Sequence, residues 1–284
     1  MTECDTFATE LRSVAERLAT EAADFVRRRR DEVFGTTTRP VSADDAVRAK
    51  STPTDPVTVV DTETERLLRD RLAELRPGDH VLGEEGGGST GGLDGRPTWV
   101  LDPIDGTVNF VYGIEAYAVS VGVQQDGVSV AGAVADVAAG ALYSAALGHG
   151  AQLRRAGVTA PLRCSTADEL SMALVGTGFA YSSQTRKRQA EILAELLPTV
   201  RDVRRIGSCA LDLCMVAAGR LDAYYEDGVH VWDWAAGALV AAEAGAALRL
   251  PPGDGTAGGA GLVVAAAPGI AAALTDALSR SGAL

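Results

Sequence analysis

Trp99-Val100-Leu101-Asp102-Pro103-Ile104-Asp105-Gly106-Thr107-Val108-Asn109-Phe110 is the stretch on which the reading of this chain turns. The apolar run Trp99 to Leu101 reads as a strand that leads straight into two carboxylates, Asp102 and Asp105, followed at once by Gly106 and Thr107. Hard cations such as Mg2+ take oxygen ligands and bind through a few carboxylates plus substrate phosphate oxygens. Free N–H groups at a turn or helix start accept an anion. The order of residues therefore suits a divalent metal that holds a phosphate. Taken alone, Asp-Pro-Ile-Asp-Gly reads as well as a strand-ending turn, because Asp-Pro and Asp-Gly are common turn formers.

Further acidic positions repeat the pattern. Glu84 and Glu85 follow the short apolar strand His80 to Gly83, and strand ends that converge on one sheet edge are where α/β folds place ligands. In Val231-Trp232-Asp233-Trp234, Asp233 stands between an apolar segment and a helix, where a plain N-cap carboxylate is the alternative. Thr107 is either a β-branched cap residue or a hydroxyl that passes a proton from an attacking water to a carboxylate such as Asp61. Asp61 reads otherwise as a helix N-cap before Thr62. Lys50 shares the chain with only one other lysine, Lys187; it is a solvated loop residue or a compact cation near phosphate. Gly207-Ser208-Cys209 opens a helix and either offers N–H groups to a hydroxylated ligand or makes a small-residue packing contact. Glu226 ends the strand Leu221 to Tyr225, exposed or accepting hydrogen bonds from sugar-like hydroxyls. His80, His149 and His230 lack any local serine or cysteine signature of a nucleophilic triad, and His230 reads as structural.

Outward from these residues, Phe7, Leu11, Val14, Leu18, Ala22 and Phe25 keep helical spacing and predict a first helix over 6–30. Residues 35–49 read as a loop and Val57 to Val60 as a short strand. Thr62 and Glu65 have capping-box spacing ahead of Leu67, Leu68, Leu72 and Leu75, and Pro77-Gly78 stops that helix. Residues 86–95 form a glycine-rich loop that we expect to be mobile. Segments 117–123, 128–137 and 141–145, with a turn at Asp126-Gly127, predict an antiparallel meander. Beyond residue 155, helices are expected at 184–197, 208–218, 232–244 and 268–280, with strands near 173–177, 221–226, 246–250 and 261–266. That alternation reads as an α/β layer. The expected division is an N-terminal α+β domain over 1–155 and a C-terminal α/β domain over 156–284.

Composition narrows the function classes. The 284 residues are 46% hydrophobic, as in ordinary globular proteins, and no apolar run reaches the ~20 residues that span a bilayer. The N-terminus lacks the basic and apolar regions of a signal peptide, so a cytoplasmic location is expected. A net charge of −12 argues against nucleic acid or anionic lipid as partner. The one basic run, Arg27 to Arg30, reads as a solvated helix end where cations complement the dipole. Cys4, Cys164, Cys209 and Cys214 show neither a Cys-x-x-Cys pair nor zinc-like spacing, which suits reduced thiols.

The motifs Lys50 to Thr58 through Asp61, Gly83-Glu84-Glu85, Asp102 to Phe110, Gly207-Ser208, Tyr224-Tyr225-Glu226, and Trp232-Asp233 through Ala235, Gly237, Glu243 and Gly245 stand in an order that closely resembles the inositol monophosphatase family, above all its bacterial inositol-1-monophosphatases. The resemblance implies a layered αβαβα sandwich, usually a homodimer, acting on a small phosphomonoester. It implies two or three Mg2+ ions bound by Glu84, Asp102, the Ile104 carbonyl, Asp105 and Asp233, with Mn2+ as a substitute and Li+ and Ca2+ as inhibitors. Lys50 and Thr107, with Glu84 or Asp61, would serve the attacking water. Gly106 and Thr107 would hold phosphate, while Asp105, Ser208, Cys209, Glu226 and Asp233 would meet the substrate. The chain departs from the family in having Gly207-Ser208-Cys209 where Gly-Thr-Ala is common and Ala246 where a second glycine is common, which bears on substrate preference. Relatives acting on histidinol phosphate or phosphoadenosine phosphate tend to carry a basic residue at the position of Val108. The expected substrate is myo-inositol 1-phosphate, with fructose 1,6-bisphosphate, histidinol phosphate, or a regulatory role with the transcription machinery as alternatives.

Overall fold

Leu11, Ala15, Leu18, Ala22 and Val26 form one fully buried stripe, and the helix that carries them, α1 (Glu3–Phe34), runs one turn past the expected end. The computed structural model describes residues 3–35, 47–50, 55–88, 95–251 and 261–284. The basic run therefore lies inside the helix, and three of its four arginines make specific contacts, while Arg28 is exposed as expected. Arg27 donates to the Val137 carbonyl, Arg29 pairs with Glu63 at 2.8 Å, and Arg30 lies over the Phe110 ring.

The expected loop 35–49 ends in a strand: β1 (Val47–Ala49) pairs antiparallel with β2 (Pro56–Thr58). Residues 36–46 and 51–54 lie outside the described residues. Strand β2 stops at Thr58 because α2 (Val59–Leu75) is capped there. The Thr58 hydroxyl accepts from the N–H groups of Val60 and Asp61, and the Asp61 carboxylate accepts from Thr58 N. Thr58-x-x-Asp61 and Thr62-x-x-Glu65 both fit a capping box, and the chain uses the first. Asp61 is thus the third helical residue, not the N-cap.

The first sheet has eight strands in the order β10-β9-β8-β7-β6-β5-β3-β4. They are β3 (His80–Gly83), β4 (Gly87–Gly88), β5 (Thr98–Asp105), β6 (Ala118–Gln125), β7 (Val128–Asp136), β8 (Ala141–Ala146), β9 (Ala151–Arg155) and β10 (Val158–Pro161). Among the described residues of this sheet only β3 and β5 pair in parallel; β4 joins β3 antiparallel, and the expected meander forms β6 to β8 and continues through β9 and β10. The start of the expected glycine loop is the short strand β4, and residues 89–94 with their expected mobility lie outside the described residues. Strand β5 passes the expected end at Leu101 and reaches Asp105, with a bulge between Asp102 and Asp105. A short helix, α3 (Thr107–Tyr112), follows.

The second sheet has the order β12-β11-β13-β15-β14. It consists of β11 (Leu174–Thr177), β12 (Asp202–Arg204), β13 (Ala223–Val229), β14 (Ala247–Arg249) and β15 (Gly261–Ala266). Its helices are α4 (Ser183–Leu196), α5 (Cys209–Ala217), α6 (Val231–Glu243) and α7 (Ala271–Arg280). The strand β12, absent from the sequence expectation, pairs in parallel on the outer edge of β11.

Four apolar clusters show how these elements stack. Helices α1 and α2 bury Leu18, Val26 and Leu68 against Trp99, Val119 and Val121 of the first sheet. On that sheet's other face, Val134 and Tyr143 meet Ala210, Cys214 and Val240 of α5 and α6. The same two helices bury Leu213 and Ala238 against Tyr224, Val263 and Ala265 of the second sheet. Helices α4 and α7 then cover its outer face through Ile192, Leu196, Leu274 and Leu278. The layers run αβαβα, as expected. Gly122 and Gly132 face each other across β6 and β7, and a Cβ there would stand 2.8 Å from Ala235 Cβ and 2.9 Å from Ala236 Cα. Only glycine lets α6 lie this close to the sheet.

Candidate active site

Every residue of β5 is buried, and the bulge in its second half turns both aspartates toward the seam between the first sheet and the middle helices. Asp102 Oδ1 accepts the Ile104 N–H at 3.0 Å, which closes the turn around the bulge. Opposite Asp102, the Ser120 hydroxyl donates to the Trp232 carbonyl at 3.3 Å, tying β6 to the first turn of α6. That turn carries Asp233, whose Oδ2 accepts the His230 N–H at 2.5 Å. Asp233 is therefore the third residue of α6 and His230 its N-cap, so the alternative reading of Asp233 as a plain N-cap does not hold. His230 also stacks on Trp232, with ring centroids 4.8 Å apart.

Asp105 is held from the other half of the molecule. Its Oδ2 accepts from the Ser208 hydroxyl at 2.6 Å and from Ala210 N–H at 2.7 Å, at the start of α5. Asn109 adds a second tie, donating to the Ile206 carbonyl at 2.9 Å. As a result, one oxygen from each of Asp102, Asp105 and Asp233 lies within 4.8 Å of the others. Gly106, between Asp105 and α3, has φ 93°, and a Cβ there would press on the Ala116 and Gly207 carbonyls at 3.0 Å. Thr107 donates its hydroxyl toward the Ile104 carbonyl at 3.0 Å and Asp61 Oδ1 at 3.2 Å.

These groups open into a cavity of about 430 Å3. Its lining includes Lys50, Glu84, Asp102, Ile104, Asp105, Gly106, Thr107, Cys209, Glu226 and Asp233. Two of the expected residues stand behind the wall. Asp61 is fully buried beneath Thr107, and Ser208 is buried behind Asp105. Lys50 is not a solvated lysine: its ammonium lies 2.7 Å from Glu84 and 2.5 Å from Glu85. Glu226 accepts from the Tyr224 hydroxyl at 2.6 Å, so it is fixed rather than loose at the strand end.

Several residues of this site escaped the sequence reading. Glu65, expected in a capping box, is buried and accepts the N–H groups of Glu85 and Gly86 at 2.7 and 2.9 Å. It shapes the turn that presents Glu84. Phe179, Tyr181 and Arg205 also line the cavity. Nothing local in the sequence marks them, because loops bring them in from distant positions.

The electrostatics follow from crowding acids away from water. Burial, then the charges of Glu84, Asp105 and Asp233, push the Asp102 carboxyl well above its ordinary range. Burial, then Asp105 and Glu84, do the same to Asp233. Asp105 rises to about 7 through burial, against the hydrogen bonds from Ser208 and Ala210. Asp61 rises to about 6 and Glu85 to about 7, both chiefly by burial. For Lys50, burial opposes the charge, but the Glu84 and Glu85 carboxylates outweigh it and raise its pKa. Three converging carboxylates that resist ionising together form a donor set of oxygen alone, which fits a hard divalent cation.

A layered sandwich with an acidic cleft and a glycine turn at its central seam has the features of a metal-assisted phosphatase. The chain belongs to the inositol monophosphatase family, whose model matches residues 8–282. The inositol-1-monophosphatase of Mycobacterium leprae is 68% identical over 283 residues, covering 99% of this chain and 97% of that protein. The inositol-1-monophosphatase SuhB of Mycobacterium tuberculosis is 68% identical over 284 residues, with the same two coverages of 99% and 97%. Among solved structures, Mycobacterium tuberculosis SuhB superposes with a TM-score of 0.83 at 62% identity, covering 97% of this chain and 98% of that one.

Proposed function

We propose that this phosphatase hydrolyses myo-inositol 1-phosphate to myo-inositol and orthophosphate with Mg2+ as cofactor. The observation that carries the reading is the convergence of Asp102, Asp105 and Asp233 beside the Gly106 turn. Glu84, Asp102, the Ile104 carbonyl, Asp105 and Asp233 would hold two or three ions. Mg2+ bound there supplies positive charge to the phosphate oxygens and lowers the pKa of an attacking water. The chain's own groups do the rest. N–H groups at Gly106 and Thr107 orient the phosphate. The Thr107 hydroxyl takes the proton of the attacking water and passes its own to Asp61 Oδ1, 3.2 Å away; a carboxyl raised to about 6 can accept it near neutral pH. Lys50 balances the charges of Glu84 and Glu85. Cys209 and Glu226, which line the same cavity, would face the ring, with Glu226 accepting from its hydroxyls.

Val108 supports a neutral polyol over substrates that need a basic residue there. Phosphate release from a panel of inositol 1-phosphate, fructose 1,6-bisphosphate and histidinol phosphate tests the assignment. Inositol 1-phosphate is expected to be turned over best; much faster hydrolysis of either other ester would overturn the substrate while leaving the site. The same reading includes a cytoplasmic homodimer inhibited by Li+ and Ca2+, with Mn2+ able to replace Mg2+. Sedimentation and metal titrations of activity check those parts. Among the described residues, no helix is long and apolar enough to cross a membrane.

A further inference from the structure

A second cavity, of about 480 Å3, shares no lining residue with the acidic cleft. It lies between α1, the β9–β10 hairpin and the end of α6, and in a chain of net charge −12 its wall carries Arg12, His149 and Arg163 against one carboxylate, Glu243.

That carboxylate is turned into the wall. Glu243 Oε1 accepts Gly148 N–H at 2.8 Å and Oε2 accepts Gly150 N–H at 2.7 Å, which fixes the turn presenting His149. Arg12 is held only loosely by its own acid: its Nε stands 3.8 Å from Glu16 Oε1. That oxygen is already engaged by the Ser144 hydroxyl at 2.6 Å and the Gln152 amide at 3.0 Å. Arg163 is exposed and, among the described residues, has no hydrogen bond or ion pair from its side chain. Arginine forks pair with phosphate in two-point geometry. The side-chain oxygen of Gln152, whose amide nitrogen is turned to Glu16, and the hydroxyl of Thr159 belong to the lining of the same cavity and suit hydroxyl groups. The volume exceeds what a bare phosphate fills and matches a ligand with an organic body.

We propose that this cleft is a second ligand site, specific for a small organic phosphate with a hydroxylated body, and separate from the hydrolytic centre. The phosphate lies between Arg12 and Arg163, and the body lies along Gln152 and Thr159.

The test uses the Mg2+-loaded enzyme and the phosphonate analogue of glucose 6-phosphate, which resists hydrolysis, in isothermal titration. Arg163→Glu reverses an exposed charge with no partner to lose, so the fold is kept. The expected result is one binding event per chain fewer in R163E than in the wild type, or an affinity at that event weaker by about tenfold or more. Turnover of inositol 1-phosphate is expected to stay the same, and glucose without the phosphate is expected not to bind. Equal stoichiometry and affinity in the two proteins would overturn the proposal, as would equal binding of glucose.

Discussion

Asp102 carries more of the site than any other side chain, since it is fully buried, closes the β5 bulge and faces both other aspartates of the cluster. Asp102→Asn keeps the shape and removes the charge. It is expected to cost about 2 kcal/mol or more of transition-state stabilisation and to weaken Mg2+ binding, measured as kcat/KM against Mg2+ concentration. Asp212 presents the opposite case. It is buried in the first turn of α5, with neither carboxyl oxygen hydrogen-bonded among the described residues, beside Gly176 and Tyr224, and burial holds its pKa well above the ordinary range. A folded-state pKa above the unfolded value contributes stability at low pH that is lost as pH rises. Asp212→Leu is therefore expected to be more stable than the wild type by about 1–2 kcal/mol at neutral pH, with a gap in urea midpoints that widens toward alkaline pH. At this scale the acidic residues were legible, because strand-ending carboxylates and a glycine turn leave a local pattern. Glu65, Arg205 and Asp212 were not, because their roles depend on what a distant segment places beside them.

The helix starts show where local pattern runs out. The capping threonine of α2 could have been Thr58 or Thr62, and only the β1–β2 pairing, which holds Thr58 extended, selects the first. Thr58→Ala is expected to cost about 1 kcal/mol of stability. It also frees Asp61, so kcat is expected to fall while KM stays near the wild-type value, read by steady-state kinetics. The meander was readable from its period-two runs and its Asp126-Gly127 turn. Strands β9, β10 and β12 were not, since short polar strands at or next to a sheet edge carry little pattern. The close approach of α6 to β6 and β7 likewise cannot be seen from Gly122 or Gly132 alone. Gly132→Val is expected to destabilise by about 2–3 kcal/mol through overpacking, checked by thermal or chemical denaturation.

Across the whole molecule, the raised carboxyls make metal and pH act on one equilibrium. In the metal-free protein Asp105 sits near 7, with Asp102 and Asp233 well above their ordinary range, whereas unfolded aspartates titrate near ~4. The folded state thus binds more protons between those limits, and its stability falls as pH rises through that window. Mg2+ must displace these protons. The Tm of the metal-free protein is expected to drop from acid toward neutral pH, and the rise in Tm on adding Mg2+ is expected to be larger on the alkaline side. Calorimetry in two buffers of different ionisation heat would count the protons released. The layer order was legible from the succession of β-rich and α/β segments, but the joining of the two halves was not: it rests on Ser208 and Ala210 gripping Asp105 and on Asn109 reaching Ile206.

Helices α5 and α6 are packed on both faces, by the first sheet on one side and the second on the other. To swing one half away from the other would uncover apolar surface on one face or the other of these helices, including Val134, Tyr143, Tyr224 and Val263. With the halves locked in this way, exchange of ester and products is expected to depend on local movements around the cavity, which Phe179 and Tyr181 help to line, and kcat is expected to be insensitive to a cross-link between the two sheets.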